Sequence, residues 1–309
     1  MHFLPTDEQR ELQHGVRDLL ADRFPIDRLS LAVAPAEPGK SGFDPVLWQA
    51  LDETGVFGLR SELGLGLAEA VLVFEELGRA CVPGPLVATF LAADRADGPV
   101  ALVEVDQAPL LVAHLDVATA VLIVGTDVRL GSVPSGTPLA EPIDPLSPLH
   151  VLAAPPDGTV IDPHGQRVRR EGALLTAALQ VGLAARLTQL SVGYAGEREQ
   201  FGRSIGGFQA VKHICADMFV RAELARVAVH AAAVTLDDDD ADDAARLVAG
   251  AKVLADEAAV TNGRAAVQVH GGMGFTWEVP VHYFLKRAWL HATEFGSADE
   301  HAEALADLL

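Results

Sequence analysis

Cysteine is almost absent from this 309-residue chain: only Cys81 and Cys215 occur, far apart. Two isolated thiols supply neither a disulfide framework nor a thiolate metal site, so both read as small core residues in a reducing compartment. Aromatic residues are scarce at 6%, and the hydrophobic half of the chain is dominated by Ala, Val and Leu, a mix that predicts closely packed helices. Positive charge is short as well. Against 43 Asp and Glu stand 23 Lys and Arg, and the net charge of −20 repels phosphate backbones and anionic lipid surfaces. Nucleic acid and membrane are therefore not expected as partners. No apolar run approaches the roughly 20 residues that span a bilayer. The opening Met1-His-Phe-Leu-Pro-Thr-Asp-Glu8 has no basic segment followed by an apolar one, so a cytoplasmic location is expected.

What is present divides into three stretches. Over residues 1–97 the pattern is helical, with an amphipathic helix at 7–23 capped by Thr6 or Asp7 and a Pro- and Gly-rich linker from Pro25 to Phe43. Further helices follow from Asp44 to about Thr54, over Gly66–Ala80 and over Leu86–Asp94. The second of these is closed by Cys81-Val-Pro-Gly-Pro85, which removes backbone donors. Residues 98–165 carry short β-type runs, Val100–Val105 and Ala120–Val124, and five prolines between 134 and 148 too dense for long central strands. From 166 to 309 the chain is helical again. Leu179, Leu183, Leu187, Leu190 and Tyr194 mark one helix, Val211, Ile214, Met218, Ala222, Ala225 and Val229 a second, and Leu247, Ala251, Leu254 and Ala258 a third. At about 25 residues each, they predict an antiparallel bundle. Asp237 to Asp243 lacks the interposed glycine and distal glutamate of a calcium loop and reads as a solvated turn favouring the next helix N-terminus. No His-Glu-x-x-His or equivalent metal spacing occurs, so no metal is expected.

Two helix endings carry the chemistry. In Tyr194-Ala-Gly-Glu-Arg-Glu-Gln-Phe-Gly202, Arg198 can present a planar fork of donors to a pyrophosphate and Phe201 a flat face to an adenine or ribose. In Gln268-Val-His-Gly-Gly-Met-Gly274, three glycines in four residues let backbone amides approach a ligand that any Cβ would exclude, and Gln268 can bond an adenine edge or a ribose hydroxyl. His270 beside them reads equally as a phosphate contact or a helix cap.

The segments Tyr194–Met218 and Gln268–Lys286, with the Glu75-Glu-Leu-Gly78 helix, resemble the acyl-CoA dehydrogenase family across nearly the whole chain, most weakly between residues 99 and 165. The resemblance implies a mainly α fold with a small central β module: an N-terminal helical domain, a shortened β domain and a C-terminal four-helix bundle. It implies FAD as cofactor, with Arg198 and Phe201 reaching a dinucleotide held mainly by a neighbouring subunit. Ile205, Phe208 and Gln209 take the following adenine-side positions, and Gln268, Gly271 and Gly272 bind from another side. The family reaction is α,β-dehydrogenation of a CoA thioester, a carboxylate removing the α-proton as hydride leaves for flavin.

The two family positions for that base fall here on Phe295 and Gly172. Glu294 and Glu171 each miss by one residue, and Glu294, rotated by about 100° if helical, is expected to point elsewhere. The family's flavin-ring segment also has no full counterpart: Leu139-Ala-Glu-Pro-Ile-Asp144 lacks a following Gly-Ser-Asp, and no tryptophan lies between residues 49 and 276. The pattern resembles the reduced, non-catalytic chain of an α2β2 acyl-CoA dehydrogenase of the actinobacterial steroid-degrading kind, paired with a homologous catalytic subunit and acting on an acyl-CoA. Two other readings use the same residues: a self-sufficient homomeric dehydrogenase with Glu294 or Glu171 as base, and a flavin-free structural or binding protein on the same scaffold.

Overall fold

The computed structural model describes residues 3–33, 42–238 and 241–307. Helix α1, Asp7–Arg23, starts on a reciprocal cap in which Thr6 Oγ1 accepts from the Gln9 amide and Gln9 Oε1 accepts from the Thr6 amide. A short helix α2, Ile26–Ala32, then occupies the first part of the expected linker. It forms there because Pro25 precedes it with extended backbone while the remaining prolines and glycines come later; residues 34–41 of that linker lie outside the described residues. Helix α3, Pro45–Glu53, is capped by the Asp44 carboxylate on the Val46 and Leu47 amides. Helices α4, Leu67–Ala80, and α5, Leu86–Ala92, follow, separated by a left-handed Cys81 and the proline-rich turn.

The β module has two small sheets. Strand β1, Val100–Glu104, runs parallel to β3, Ala120–Val124, which pairs antiparallel with β4, Val128–Gly131, and β4 with β7, Thr159–Asp162. Strands β2, Leu110–Ala113, β6, Leu149–Leu152, and β5, Thr137–Pro138, form the second. The proline-rich stretch supplies only the two-residue β5, as the missing amides require.

Three long helices then build the bundle: α6, Gly165–Glu197, α7, Gln209–Asp237, and α8, Ala241–His270, with 33, 29 and 30 residues. They exceed the expected 25 because polar residues continue the helix past the apolar pattern. Between α6 and α7 lies a hairpin of β8, Glu199–Gln200, and β9, Arg203–Ser204. Helices α9, Val281–His291, and α10, Ala298–Asp307, close the chain. Although no continuous apolar run is visible in the sequence, α6 is long and apolar enough to cross a bilayer by length and composition. Its middle, residues 171–184, is buried on every side, as the central helix of the fold.

Helices α4 and α6 touch backbone to backbone. A Cβ on Gly78 would overlap the Leu179 carbonyl oxygen, and one on Gly182 would overlap the Glu75 carbonyl oxygen. Asp237, read from sequence as part of a solvated turn, instead accepts from the Leu67 and Ala68 amides at 2.9 Å and caps α4 from the far end of α7; residues 239 and 240 of that turn lie outside the described residues. Cys81 is core, whereas Cys215 is only half-buried on α7, and Leu254 on α8 is exposed. Buried Asn262 donates to the Met218 carbonyl and accepts from Arg221, and buried Gln180 donates to Asp256 and to the Ala288 carbonyl.

Alanine forms helix better than glycine by about 1 kcal/mol, yet Gly182→Ala is expected to lower stability by about 2 kcal/mol, because the neighbour it meets is backbone and cannot swing aside. The urea unfolding midpoint measures it, and an unchanged or raised midpoint would refute the tight crossing.

Candidate functional site

The first motif ends α6 and turns at once. Phe201 and Gly202 form the two-residue tip of the β8–β9 hairpin with φ of 55° and 76°, the primed turn geometry that suits strand twist. Glycine takes this backbone freely, while a bulky side chain there is strained. The Phe201 ring is nevertheless 92% exposed, with an edge-to-face contact to Phe208 at a centroid distance of 6.2 Å. Arg198 is exposed at the hairpin base, where its carbonyl accepts from the Ile205 amide at 2.8 Å. Ile205 begins a short 3-10 turn leading to Phe208, whose ring carries the Arg203 guanidinium at 4.0 Å, and to exposed Gln209 at the start of α7.

The second motif ends α8. Gln268 is exposed, Gly271 has a φ of 59°, and Cβ atoms built on Gly271 or Gly272 would stand in open space, leaving room for close approach to the backbone. Phe275 and Trp277 beyond them are largely exposed. His270 is buried: its Nδ1 donates to the Ala266 carbonyl at 2.7 Å and its ring stacks on Tyr194 with centroids 4.2 Å apart. This stack joins the ends of α6 and α8, so the two motifs share one end of the bundle.

The two expected base positions also meet. A Cβ on Gly172 would overlap the Phe295 ring, which fills the space in front of α6. Glu171 on the neighbouring face is buried and engaged by Arg60 at 2.8 Å and Arg167 at 3.2 Å, against a different cavity. Glu294 does not point away, contrary to the helical-rotation argument. The segment is a turn, with φ of 55° at Phe295 and 98° at Gly296, and Glu294 lines the same cavity as Phe295. Its Oε2 lies 2.7 Å from His291 Nδ1. Burial alone would raise the Glu294 carboxyl, but the His291 charge and hydrogen bond override it and hold the group below the usual glutamate value. The Glu141-Pro142 segment contributes structure instead: Asp144 beyond it is fully buried and pairs with Arg287 Nε at 2.5 Å, while Arg287 also donates to the Val82 carbonyl.

The shared cavity, about 100 Å3, lies between β1, α5 and the turn after α9. Glu104, which the sequence reading passed over, lines it. Its Oε2 accepts from the Phe295 amide at 3.1 Å and from Gln107 at 3.0 Å, and Arg169 lies 3.5 Å from its other oxygen. Burial pushes Glu104 up to about 7, against the opposing Phe295 bond and Arg169 charge. The signal in sequence was a lone acid inside Val100-Ala-Leu-Val-Glu-Val105, an otherwise apolar strand. His114, also lining the cavity, is driven down to about 3 by burial first and Arg287 second, so its ring is neutral. Among the described residues, no cluster of His, Cys, Asp or Glu suits a metal ion.

Because folding raises Glu104 from its ordinary 4.5 to about 7, folding favours its protonated form. The stabilisation from this site is complete below about pH 4.5 and is lost as pH rises through about 7. Between pH 5 and 8 the stability difference between wild type and Glu104→Gln should move by about 2 kcal/mol in favour of the variant. Urea unfolding at both pH values reads it, and a constant difference would place that proton elsewhere.

Residues 170–309 match the family model for the acyl-CoA dehydrogenase C-terminal domain. Acyl-CoA dehydrogenase IpdE2 of Mycolicibacterium smegmatis is 33% identical, over 96% of this chain and 98% of that relative. Among solved structures, the ChsE4-ChsE5 complex from Mycobacterium tuberculosis contains a chain that matches with a TM-score of 0.80 at 22% identity, over 99% of this chain and 98% of that one. A variant of the Tcur3481-Tcur3483 steroid ACAD matches with a TM-score of 0.81 at 22% identity, over 98% and 97%. At that identity the structural likenesses establish the fold, mostly helical around a small β module. With sequence likeness running over nearly the full length of a curated relative, the chain belongs to the acyl-CoA dehydrogenase family.

Proposed function

We propose that this chain is the non-catalytic subunit of a heteromeric, FAD-dependent acyl-CoA dehydrogenase, assembled as α2β2 with a homologous catalytic chain. The observation that carries the reading is the contact between Phe295 and Gly172: both positions where the family places its base are taken up by one aromatic ring against a bare backbone, with no room for a carboxylate. The cofactor-facing residues point the same way. An exposed, strained Phe201 beside Arg198 suits a ligand held off this chain, and the open backbone of Gly271 and Gly272 with Gln268 suits an adenosine and pyrophosphate. FAD, when bound, supplies the hydride acceptor. The residues proposed here only hold and orient its far end, Arg198 by its fork of donors and Phe201, Ile205, Phe208 and Gln209 on the adenine side. A steroid-derived acyl group is part of the proposal, supported by the likeness to a steroid ACAD.

One observation favours a self-sufficient enzyme instead. Glu104 has the burial and the value near neutrality that a base requires, and it shares a cavity with Glu294. Glu171 has no such claim, since Arg60 and Arg167 engage it in another cavity.

Purification of the chain alone and co-expressed with its genomic neighbour separates these readings. We expect flavin and activity only in the co-expressed complex. Arg198→Ala in this chain should lower the flavin-to-protein ratio of the complex by roughly tenfold at limiting FAD, the loss of one charge-assisted bidentate contact. A yellow, active homomer whose turnover is abolished by Glu104→Gln would replace the proposal.

A further inference from the structure

A cleft of about 120 Å3 opens between α1, α2, α4, α6 and α9. Arg79 of α4 and Arg186 of α6 line it, both half-buried, and each donates at 2.8 Å to the same Gln189 Oε1. Two guanidinium groups thus converge on a single neutral oxygen. An amide can accept from both but cannot cancel either charge. The nearest carboxylates are already engaged: Glu76 is held through both oxygens by Arg17 and by Gln13, and Glu75 by Arg226. Neither Arg79 nor Arg186 pairs with a carboxylate among the described residues. Burial holds both arginines below their ordinary values, and at Arg186 the Arg79 charge adds to it. Counting Arg17, three guanidinium groups face one carboxylate within the cleft, in a chain whose net charge is −20. Opposite the arginines, Leu20, Phe24 and Phe284 form a buried apolar wall, with Ile26 at its edge.

An uncompensated pair of planar forks beside an apolar wall is complementary to an oxyanion with a short hydrocarbon tail. We propose that this cleft binds such a molecule, a small carboxylate or phosphate monoester, with its head replacing the Gln189 oxygen between Arg79 and Arg186 and its tail lying against Phe24 and Phe284.

The test is calorimetric titration of the full chain, in the assembly in which it purifies, with hexanoate, hexyl phosphate and inorganic phosphate at ionic strength held constant with chloride. Hexanoate or hexyl phosphate should bind saturably, and whichever binds tighter identifies a carboxylic-acid or a phosphate-ester source. Arg186→Gln and Arg79→Gln should each weaken that binding roughly tenfold, while Arg246→Gln, at an exposed pair with Asp243, should leave it unchanged. Gln189→Glu keeps the proposal open to refutation even where an arginine variant does not fold. It places a carboxylate between the two arginines and should raise the melting temperature in chloride while abolishing hexanoate binding. No saturable binding, binding of inorganic phosphate as tight as that of hexyl phosphate, or undiminished binding in Gln189→Glu would overturn the proposal.

Discussion

The closeness of α4 and α6 is the constraint on which the rest of the structure depends. Where Gly78 faces Leu179 and Gly182 faces Glu75, the two helices meet through main chain, closer than any side chain would permit. That crossing carries the N-terminal helices onto the bundle and makes α6 a helix with no solvent side over residues 171–184. It also sets the positions of both ends of α6: the N-terminal half with Gly172 against the turn after α9, and the C-terminal end with the hairpin and its stack on His270. Both candidate sites hang from one packing contact.

Polar groups then tie the irregular parts to this frame. Arg287 reaches from α9 to Asp144 in the β module and to the Val82 carbonyl after α4, joining three stretches of chain with one buried guanidinium. Lys252, fully buried, pairs with Asp256 and donates to the His291 carbonyl, and Gln180 binds the same aspartate. Glu104 completes the set by holding the Phe295 amide from the β module. Charges buried this way add little net stability compared with apolar packing, but removing one partner leaves the other stranded. They specify where the turn carrying Phe295 and Glu294 sits, and so which carboxylates face the cavity.

On the proposed function, two roles that would otherwise share one site are separated. The Arg198 and Gln268 loops, proposed to face a cofactor, lie on exposed turns with strained or open backbone, whereas the place expected for a base is occupied by an aromatic ring. On the proposed function, the chain would keep surfaces that grip a ligand at a subunit boundary while Phe295 fills the interior against Gly172.

Much of this was readable from the residues in order. The Thr6 cap, the proline stop after Cys81, the spacing of Leu179, Leu183 and Leu187, and the two glycine-bearing helix ends are local signals, because caps and periodicity involve residues within one or two turns. The helix at Ile26–Ala32 was hidden because the Pro- and Gly-rich composition of its surroundings outweighed seven ordinary residues. Other features depended on partners distant in sequence. Asp237 caps a helix that begins 170 residues earlier, Asp144 is fixed by an arginine 143 residues later, and Glu104 accepts from the amide of a turn 191 residues away. The sequence by itself therefore determined most of the helical segments and the two glycine-bearing helix ends near Arg198 and Gln268. Only the tertiary structure decided that Phe295 covers Gly172, that Glu294 and Glu104 share a cavity while Glu171 does not, and that two arginines are left facing one neutral oxygen. Most helix ends are settled by neighbours along the chain, the start of α4 with its Asp237 cap being the exception, whereas burial and charge balance are settled by whatever the fold brings alongside.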